Sequence, residues 1–367
     1  MTTTTEISLT EARTIAIAAQ GLHCPANYAT TVLDRLGCIQ IDSMAAVRRS
    51  HELVGLARGL SVDVVSRLGT AKSEVETFEG WAHALSLIPL QLWPLFAWRR
   101  RRVRTHGWSG PEVDLQACVE VLARLRAEGP LTLSDLGGTT GSGWERTSPA
   151  RWAAEWLEKT GDLVVRHRRS WRRVYAPVEQ ALPADLLNTD LDDADCTRQL
   201  VQIALAALGV ATAGDIADYF RIPITSVDTA LGELDPPRIA VGGWKEPAWM
   251  HNLEAEAEAG SAAEPTPLSP FDSLIWHRPR QLRLFGRNWL LEAYKPAAKR
   301  SFGYFGMPIL AGTELAGRIA PRRAGGALAI EAVEWDGPKP SRLTRAVETL
   351  RRWTETSTII WPEDTRE

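Results

Sequence analysis

The sequence predicts an α+β fold, with helices through about His251 and short strands beyond it. Three observations predict it. Between Pro111 and Pro177 three helical stretches precede two short extended ones, and the same order returns in shortened form between Thr197 and His251. From Leu268 the texture changes to short alternating stretches broken by Gly, Pro and Asn. With 367 residues and 44% hydrophobic residues, the chain is long and apolar enough for two to four domains with proper cores.

The first stretch, LTEARTIAIAAQGL, then ANYATTVLDRLGCIQID and later WAHALSLIP, has the look of a first copy of this pattern with an altered strand region. Ala29 to Leu36 carries Val32, Leu33 and Leu36 at helical spacing, and Gly37 is a natural end for it. The chain should then run extended. Side chains alternate in an extended segment, so Gln40 and Asp42, flanking Ile41, are expected to share one face and bring an amide and a carboxylate to one spot. Spacing alone fits equally a surface strand end with two ordinary polar residues.

In the segment from Pro111 to Pro177, VDLQACVEVLARLRAEG is a helix and LTLSDL a short second one, capped by Thr132 or Ser134. The third, SPARWAAEWLEKTG, has Ser148 as N-cap and Pro149 at its first position. LVVRH and WRRVYAP follow as strands joined by an arginine-filled turn, the winged-helix form of the helix-turn-helix. The copy from Thr197 to His251 reads TRQLVQIALAALG, TAGDIADYF, TSVDTALGEL, IAVGG and AWMH. Beyond it, QLRLF, LLEAYKP, FGYFGMPIL, LAGRIAPR and ALAIEAVEW suggest a small β-domain, with two strands flanking a basic hairpin tip at Pro296–Arg300. The expected domains are 1–108, 109–182, 183–253 and 254–367.

Charge is sorted along the chain, although the net is only −3. From Ser148 to Tyr175 seven basic residues face three acidic ones, and from Phe271 to Phe302 seven face two. WRRRRVR adds a third basic run at Trp98–Arg104. Asp185 to Asp195 with five aspartates and Glu254 to Glu264 with four glutamates resemble acidic linkers. Such sorting suits one face for an anionic ligand, because lysine and arginine bind phosphates by displacing counterions whatever the base sequence.

Other classes are excluded or disfavoured. No apolar run approaches the roughly 18–20 residues of a membrane span, and the N-terminus lacks a basic segment followed by an apolar one, so residence in the cytoplasm is expected. Cys24, Cys38, Cys118 and Cys196 are scattered without a CxxC pair and read as core thiols, and the seven histidines form no HExxH. Chemistry without metal or cofactor is expected. Trp93, Trp98, Trp152 and Trp156 sit at helical spacings that mean core, and Glu74, Glu76 and Glu79 read as surface residues.

Taken together, QIDSMAAVRRSHELVGLARG, EGWAHALSLIP, the WRRVYAP wing, LSPFDSLIWHRPR and LEAYKPAAKRSFGYFGMPIL resemble the YcaQ/AlkZ-type winged-helix DNA glycosylases over nearly the whole chain. The resemblance implies tandem winged-helix units forming a concave DNA-binding surface, followed by a small β-barrel-like domain. It implies removal of N7-alkylated purines and unhooking of interstrand crosslinks. The family's signature is Gln, an apolar residue, then Gln or Asp; Gln40-Ile41-Asp42 is the Asp version, closer to the YcaQ branch than to the self-resistance branch of antibiotic producers. His51-Glu52 stands where members have a His-His pair.

On that resemblance Asp42 would stabilise an oxocarbenium-like sugar and act as general base, with Gln40 holding the water. One carboxylate suffices because an N7-alkylpurine is already cationic and needs no acid to leave, unlike a glycoside's alcohol. The nearest lysine is Lys72, so no amine is placed for a Schiff base and a monofunctional enzyme is expected. DNA contacts are expected from Arg48, Arg49, His51, Arg168, Arg169, Arg172, Arg173, Lys299 and Arg300. The expected partner is double-stranded DNA carrying alkylated purines, bound by a monomer. The competing reading is a non-catalytic tandem winged-helix DNA-binding protein or transcription regulator, which gives no reason for the QID element.

Overall fold

The computed structural model describes residues 5–22, 24–141, 147–251, 264–336 and 341–362, in two compact units. One takes in Met1–Ser66, Ala82–Ser86 and Val201–Glu367; the other Arg67–Trp81 and Leu87–Leu200. The acidic stretch from Glu254 lies outside the described residues, apart from Glu264. Among the described residues, no helix is long and apolar enough to cross a membrane.

The first unit opens with β1 (Thr5–Ile7) and α1 (Leu9–Ala19). Ser8 and Glu11 close a reciprocal capping box: Ser8 N–H donates to the Glu11 carboxylate at 2.7 Å, and Glu11 N–H to Ser8 Oγ at 3.2 Å. Helix α2 (Ala29–Leu36) buries Val32, Leu33 and Leu36 and stops at Gly37, whose φ of 66° is the left-handed C-cap that glycine adopts without strain. Then come β2 (Ile39–Gln40), α3 (Ser50–Ala57) and α4 (Val62–Arg67).

Strand β3 (Thr77–Trp81) lies in the second unit; β4 (Leu85–Pro89), a 3-10 turn (Leu90–Phe96) and α5 (Ala97–His106) follow. Next are α6 (Leu115–Glu128), β5 (Leu131–Thr132), α7 (Pro149–Thr160), β6 (Leu163–Arg169) and β7 (Arg172–Pro177). Ser148 caps α7 and Pro149 starts it, as expected. The second helix expected at LTLSDL is a set of turns instead. Thr132 N–H and Oγ1 both donate to the Asp135 carboxylate, and this local bonding competes with helix. Strands β5, β7 and β6 form an antiparallel sheet in that order. Its hairpin turns on Ser170 (φ 50°) and Trp171 (φ 66°), both left-handed, as a two-residue turn between right-twisted strands requires. The core of this unit joins α6, α7 and the sheet through Val121, Leu125, Ala153, Leu157, Leu163 and Tyr175.

Short helices α8 (Val178–Ala181) and α9 (Ala184–Asn188) precede α10 (Asp193–Leu208). The expected linker at Asp185–Asp195 is therefore largely helical, with Asp193 and Asp195 in the first turn of α10, where a helix N-terminus favours negative charge. Then follow β8 (Val210–Ala211), α11 (Ala213–Tyr219), α12 (Ile224–Leu234), β9 (Arg238–Val241) and β10 (Ala248–Met250). Their sheet runs β1-β9-β10-β8, with β1 parallel to β9 and Thr5 opposite Ile239.

The C-terminal part contains β11 (Thr266–Pro267), α13 (Arg278–Phe285), β12 (Met307–Ala311), β13 (Glu314–Ala324), β14 (Ala327–Trp335), α14 (Ser341–Thr354) and β15 (Thr358–Ile360). The five strands pair in chain order. Helix α14 buries Leu343, Ala346, Val347 and Leu350 against Met307, Ile309, Ile319 and Leu328, a stripe at i, i+3, i+4 and i+7. Each of its larger apolar side chains contributes about 1.5–3 kcal/mol by leaving water.

Two expectations fail here. RPRQLRLF is helix α13, with Arg280, Gln281, Leu284 and Phe285 on its buried side at 3.6-residue spacing. Residues 287–306 contain no strand, so Pro296–Arg300 is not a hairpin tip. The Glu292 carboxylate closes that loop instead, accepting from Ser301 N–H (2.7 Å), Phe302 N–H (2.8 Å), Ser301 Oγ (2.7 Å) and Lys295 Nζ (2.7 Å). Cys38, Cys118 and Cys196 are buried as expected, but Cys24 is exposed. Trp93 and Trp98 are core residues, whereas Trp152 and Trp156 are only partly buried.

A charged network is fully buried in the first unit. Arg58, which caps α3, donates to both Asp272 oxygens at 2.8 and 3.0 Å, to Gln20 O at 2.7 Å, to Gln20 Oε1 at 2.9 Å and to Val54 O at 3.0 Å. The fork matches a carboxylate bidentately and ties α1, α3 and the 269–277 segment together.

Candidate active site

The Gln40 segment is fixed by its backbone. Ile41 N–H donates to Leu85 O at 2.9 Å, and Ser50 Oγ donates to Gln40 O at 2.6 Å, so β4 and the start of α3 clamp it. Tyr219 Oη reaches back to Leu36 O at 2.8 Å and holds the end of α2. Gln40 is 7% exposed, and its Oε1 is sealed from solvent with no hydrogen bond from a described residue. Leaving such an acceptor unmatched costs about 1–3 kcal/mol.

Gln40 is among the residues lining a cavity of about 180 Å³, whose wall also holds the rings of His83, Phe271, Trp276, Trp289 and Tyr294 and the cations of Arg278 and Arg318. His83 stacks on Trp276 with centroids 4.6 Å apart and planes 4° from parallel, and its Nδ1 is 2.8 Å from the Asp218 carboxylate. Burial opposes ionisation of Asp218, but the His83 bond and nearby cations prevail and lower its pKa. Arg318 lies over Phe302 at 3.8 Å and bonds Glu334 at 2.7 Å, which keeps its cation in place. No lysine is among the lining residues.

Asp42 is half-buried and is not part of that lining. Its Oδ1 accepts Met44 N–H at 2.7 Å, a local turn that sets the carboxylate's direction, and no hydrogen bond among the described residues engages Oδ2. Tyr294 links the two groups. It shares the cavity wall with Gln40, and its phenol pKa is raised first by burial and then by the negative charge of Asp42. Sequence reasoning missed Tyr294, His83, Trp276 and Arg318 as neighbours of Gln40; the signal available was that LEAYKP, WAHALSLIP and SLIWHRPR recur in the quoted resemblance.

The other expected site residues fall into two kinds. Arg48 is engaged internally, with Glu52 and Glu355 at 2.8 Å and Trp353 O as partners. Arg49 donates to Ser43 O at 3.2 Å, and His51 is buried within α3. Lys299 is exposed, and Arg300 lies over Tyr304 with Nε bonded to Lys295 O at 3.0 Å. In the second unit, Arg169 and Arg172 are exposed, reaching Asp135 at 2.6 Å and Ser134 at 3.0 Å. Arg168 and Arg173 both pair with Glu79, at 2.8 and 3.0 Å. Glu79 is buried at 3% exposure, not the surface residue expected, because these two guanidiniums neutralise it. Among the described residues there is no cluster of His, Cys, Asp and Glu able to hold a metal ion.

Comparison with known families matches residues 33–353 to the family described as DNA glycosylase AlkZ-like. Among solved structures, the Streptomyces sahachiroi DNA glycosylase AlkZ shares the fold with a TM-score of 0.64 at 13% identity, over 97% of this chain and 99% of that one.

Proposed function

Because the chain belongs to the AlkZ-like DNA glycosylase family, we propose that it hydrolyses the N-glycosidic bond of N7-alkylated purines in duplex DNA, with Asp42 and Gln40 at the reacting centre. The observation that carries this reading is Gln40, its Oε1 unmatched, in the wall of a cavity shared with Tyr294, a residue close enough to Asp42 to be influenced by its charge. An N7-alkylated purine carries its own positive charge, so the base departs without a protonating acid. Two tasks remain for the protein. Asp42 faces the deoxyribose as it becomes cationic, and the Gln40 amide holds the attacking water by a hydrogen bond with its lone pair aimed at C1′. As the new C–O bond forms, one water proton passes to Asp42 and the other stays on the C1′ hydroxyl. The cavity has room for that water, which needs only about 10–15 Å³.

The reaction ends at an abasic site, since no lysine lines the cavity to form a Schiff base and Lys295 is paired with Glu292. Exposed Arg169, Arg172 and Lys299 serve as phosphate contacts, with Arg49 and Arg300 beside the lesion. Arg48, Arg168 and Arg173 reach phosphate only by exchanging an internal carboxylate. A monomer is sufficient, and unhooking of crosslinks joined through N7 follows from the same bond cleavage.

The test is a product analysis. Incubation with a duplex carrying one 7-methylguanine should release the free base and leave a strand that breaks only on alkaline treatment. A covalent protein–DNA adduct trapped by borohydride, or no released base at saturating protein, contradicts the proposal.

A further inference from the structure

The second unit contains a separate cavity of about 470 Å³, within the range of small-ligand sites. Three tryptophans line it: Trp81, half exposed on β3, Trp93 and Trp108. Trp108 is held edge-on by Trp152 and Trp156, at 6.2 and 5.9 Å between centroids. Arg99, Arg100 and Lys159 complete the wall, with Lys159 Nζ 5.8 Å from the Trp81 ring centroid and Arg100 Cζ 3.9 Å from that of Trp93.

Arg100 is the informative group. Among the described residues its only hydrogen bond is from Nη2 to Trp93 O at 3.1 Å, and none of their carboxylates lies within ion-pair distance. Many other arginines of the unit meet a carboxylate, among them Arg104 with Asp162, Arg166 with Glu76, and Arg168 and Arg173 with Glu79. Burial lowers the Arg100 pKa to about 9, with the neighbouring cation of Arg104 adding to it. Gly161 makes the space for this side chain, since a Cβ there would lie 2.3 Å from Arg100 Cδ. A largely buried guanidinium without an anion is costly unless an anion arrives from outside. The carboxylates in the wall do not supply one: Glu79 already accepts from Arg168 and Arg173, and Glu158 forms no ion pair with Arg100, its pKa being raised by burial.

We propose that this cavity binds a nucleotide unit, with the base stacked on the indoles, the phosphate on Arg100 and Lys159, and the Glu158 carboxyl at the edge of the base. Indole faces accept any base, and a carboxyl accepts from the amino and imino groups of a base edge. A free mononucleotide and a nucleotide within a single strand present the same chemistry. The site is independent of Gln40 and Asp42.

Calorimetric titration of the full chain with dGMP, deoxyguanosine and a short oligothymidylate tests this. The expected result is binding of dGMP in the micromolar range, with deoxyguanosine about tenfold weaker, since a hydrogen bond to a charged group is lost. Trp81→Ala should weaken binding by about fivefold or more, Arg100→Met should narrow the gap between nucleotide and nucleoside, and Arg100→Met with Lys159→Met should close it. Release of 7-methylguanine should be unchanged in Trp81→Ala, which separates failure here from failure at the other site. Tight oligothymidylate binding that displaces dGMP assigns the pocket to a strand, and dGMP binding alone assigns it to free nucleotide. No heat from any of the three up to about 5 mM, equal affinity for nucleotide and nucleoside in the unaltered protein, or an unaffected Trp81→Ala overturns the proposal.

Discussion

Removing the cation of the buried Arg58 network exposes how strongly the first unit depends on it. Arg58→Met preserves most of the side chain's length and apolar stem but deletes five donated hydrogen bonds, two of them to Asp272. Asp272 is wholly buried and retains the Leu274 N–H at 3.0 Å, which leaves its charge without a counter-ion. Breaking a buried pair from one side costs about 3–5 kcal/mol, whereas replacing both partners with apolar residues is often nearly neutral. Arg58→Met with Asp272→Leu removes the stranded charge but still orphans Gln20 O, at about 1–3 kcal/mol. The single change should therefore lose about 4 kcal/mol and the double change about 2 kcal/mol. Urea unfolding followed by hydrogen exchange in α1 and α3 reads out this unit separately from the other. A single variant within about 1 kcal/mol of the unaltered protein, or a double variant less stable than the single, refutes the reasoning.

Two further outcomes follow from charged groups on the loops. The pKa of Glu292 is lowered, chiefly by the Lys295 bond and then by the N–H and hydroxyl donors of Phe302 and Ser301. A carboxylate depressed in the folded state stabilises fully above its unfolded value and loses that contribution as pH falls through the folded one. Exchange protection at Ser301 and Phe302 should thus hold at neutral pH and fall only below the ordinary value of 4.5, and in Glu292→Gln, whose amide oxygen still accepts but carries no charge, it should be weaker and independent of pH in that range. Replacing both Arg169 and Arg172 with alanine should weaken duplex binding equally for all sequences and reduce the slope of log affinity against log salt by about two; an unchanged slope means that neither meets a phosphate.

Local signals were legible in the sequence. Gly37 after a helical run, Ser148 before Pro149, and the alternating strands from Met307 to Trp335 each depend on residues close in the chain. The strands expected around Pro296 were not, because Glu292 satisfies the backbone there through its side chain, a bonding pattern with no periodicity. Glu79 was misjudged for a related reason: its burial is made possible by arginines 89 and 94 residues away. The candidate site was half legible. Gln40 and Asp42 stand out by spacing, but Tyr294, His83 and Trp276 meet Gln40 only through the tertiary fold.

Exchanging Asp42 for asparagine tests the central claim most directly, because asparagine keeps the shape and can still accept the Met44 N–H while removing the charge. A unit charge about 4 Å from a forming cation contributes roughly 4 kcal/mol at an effective dielectric of about 20, or about a thousandfold in rate. Single-turnover release of 7-methylguanine by Asp42→Asn should fall by about that factor with duplex affinity unchanged. Release within about threefold of the unaltered protein, at equal affinity, would contradict the account.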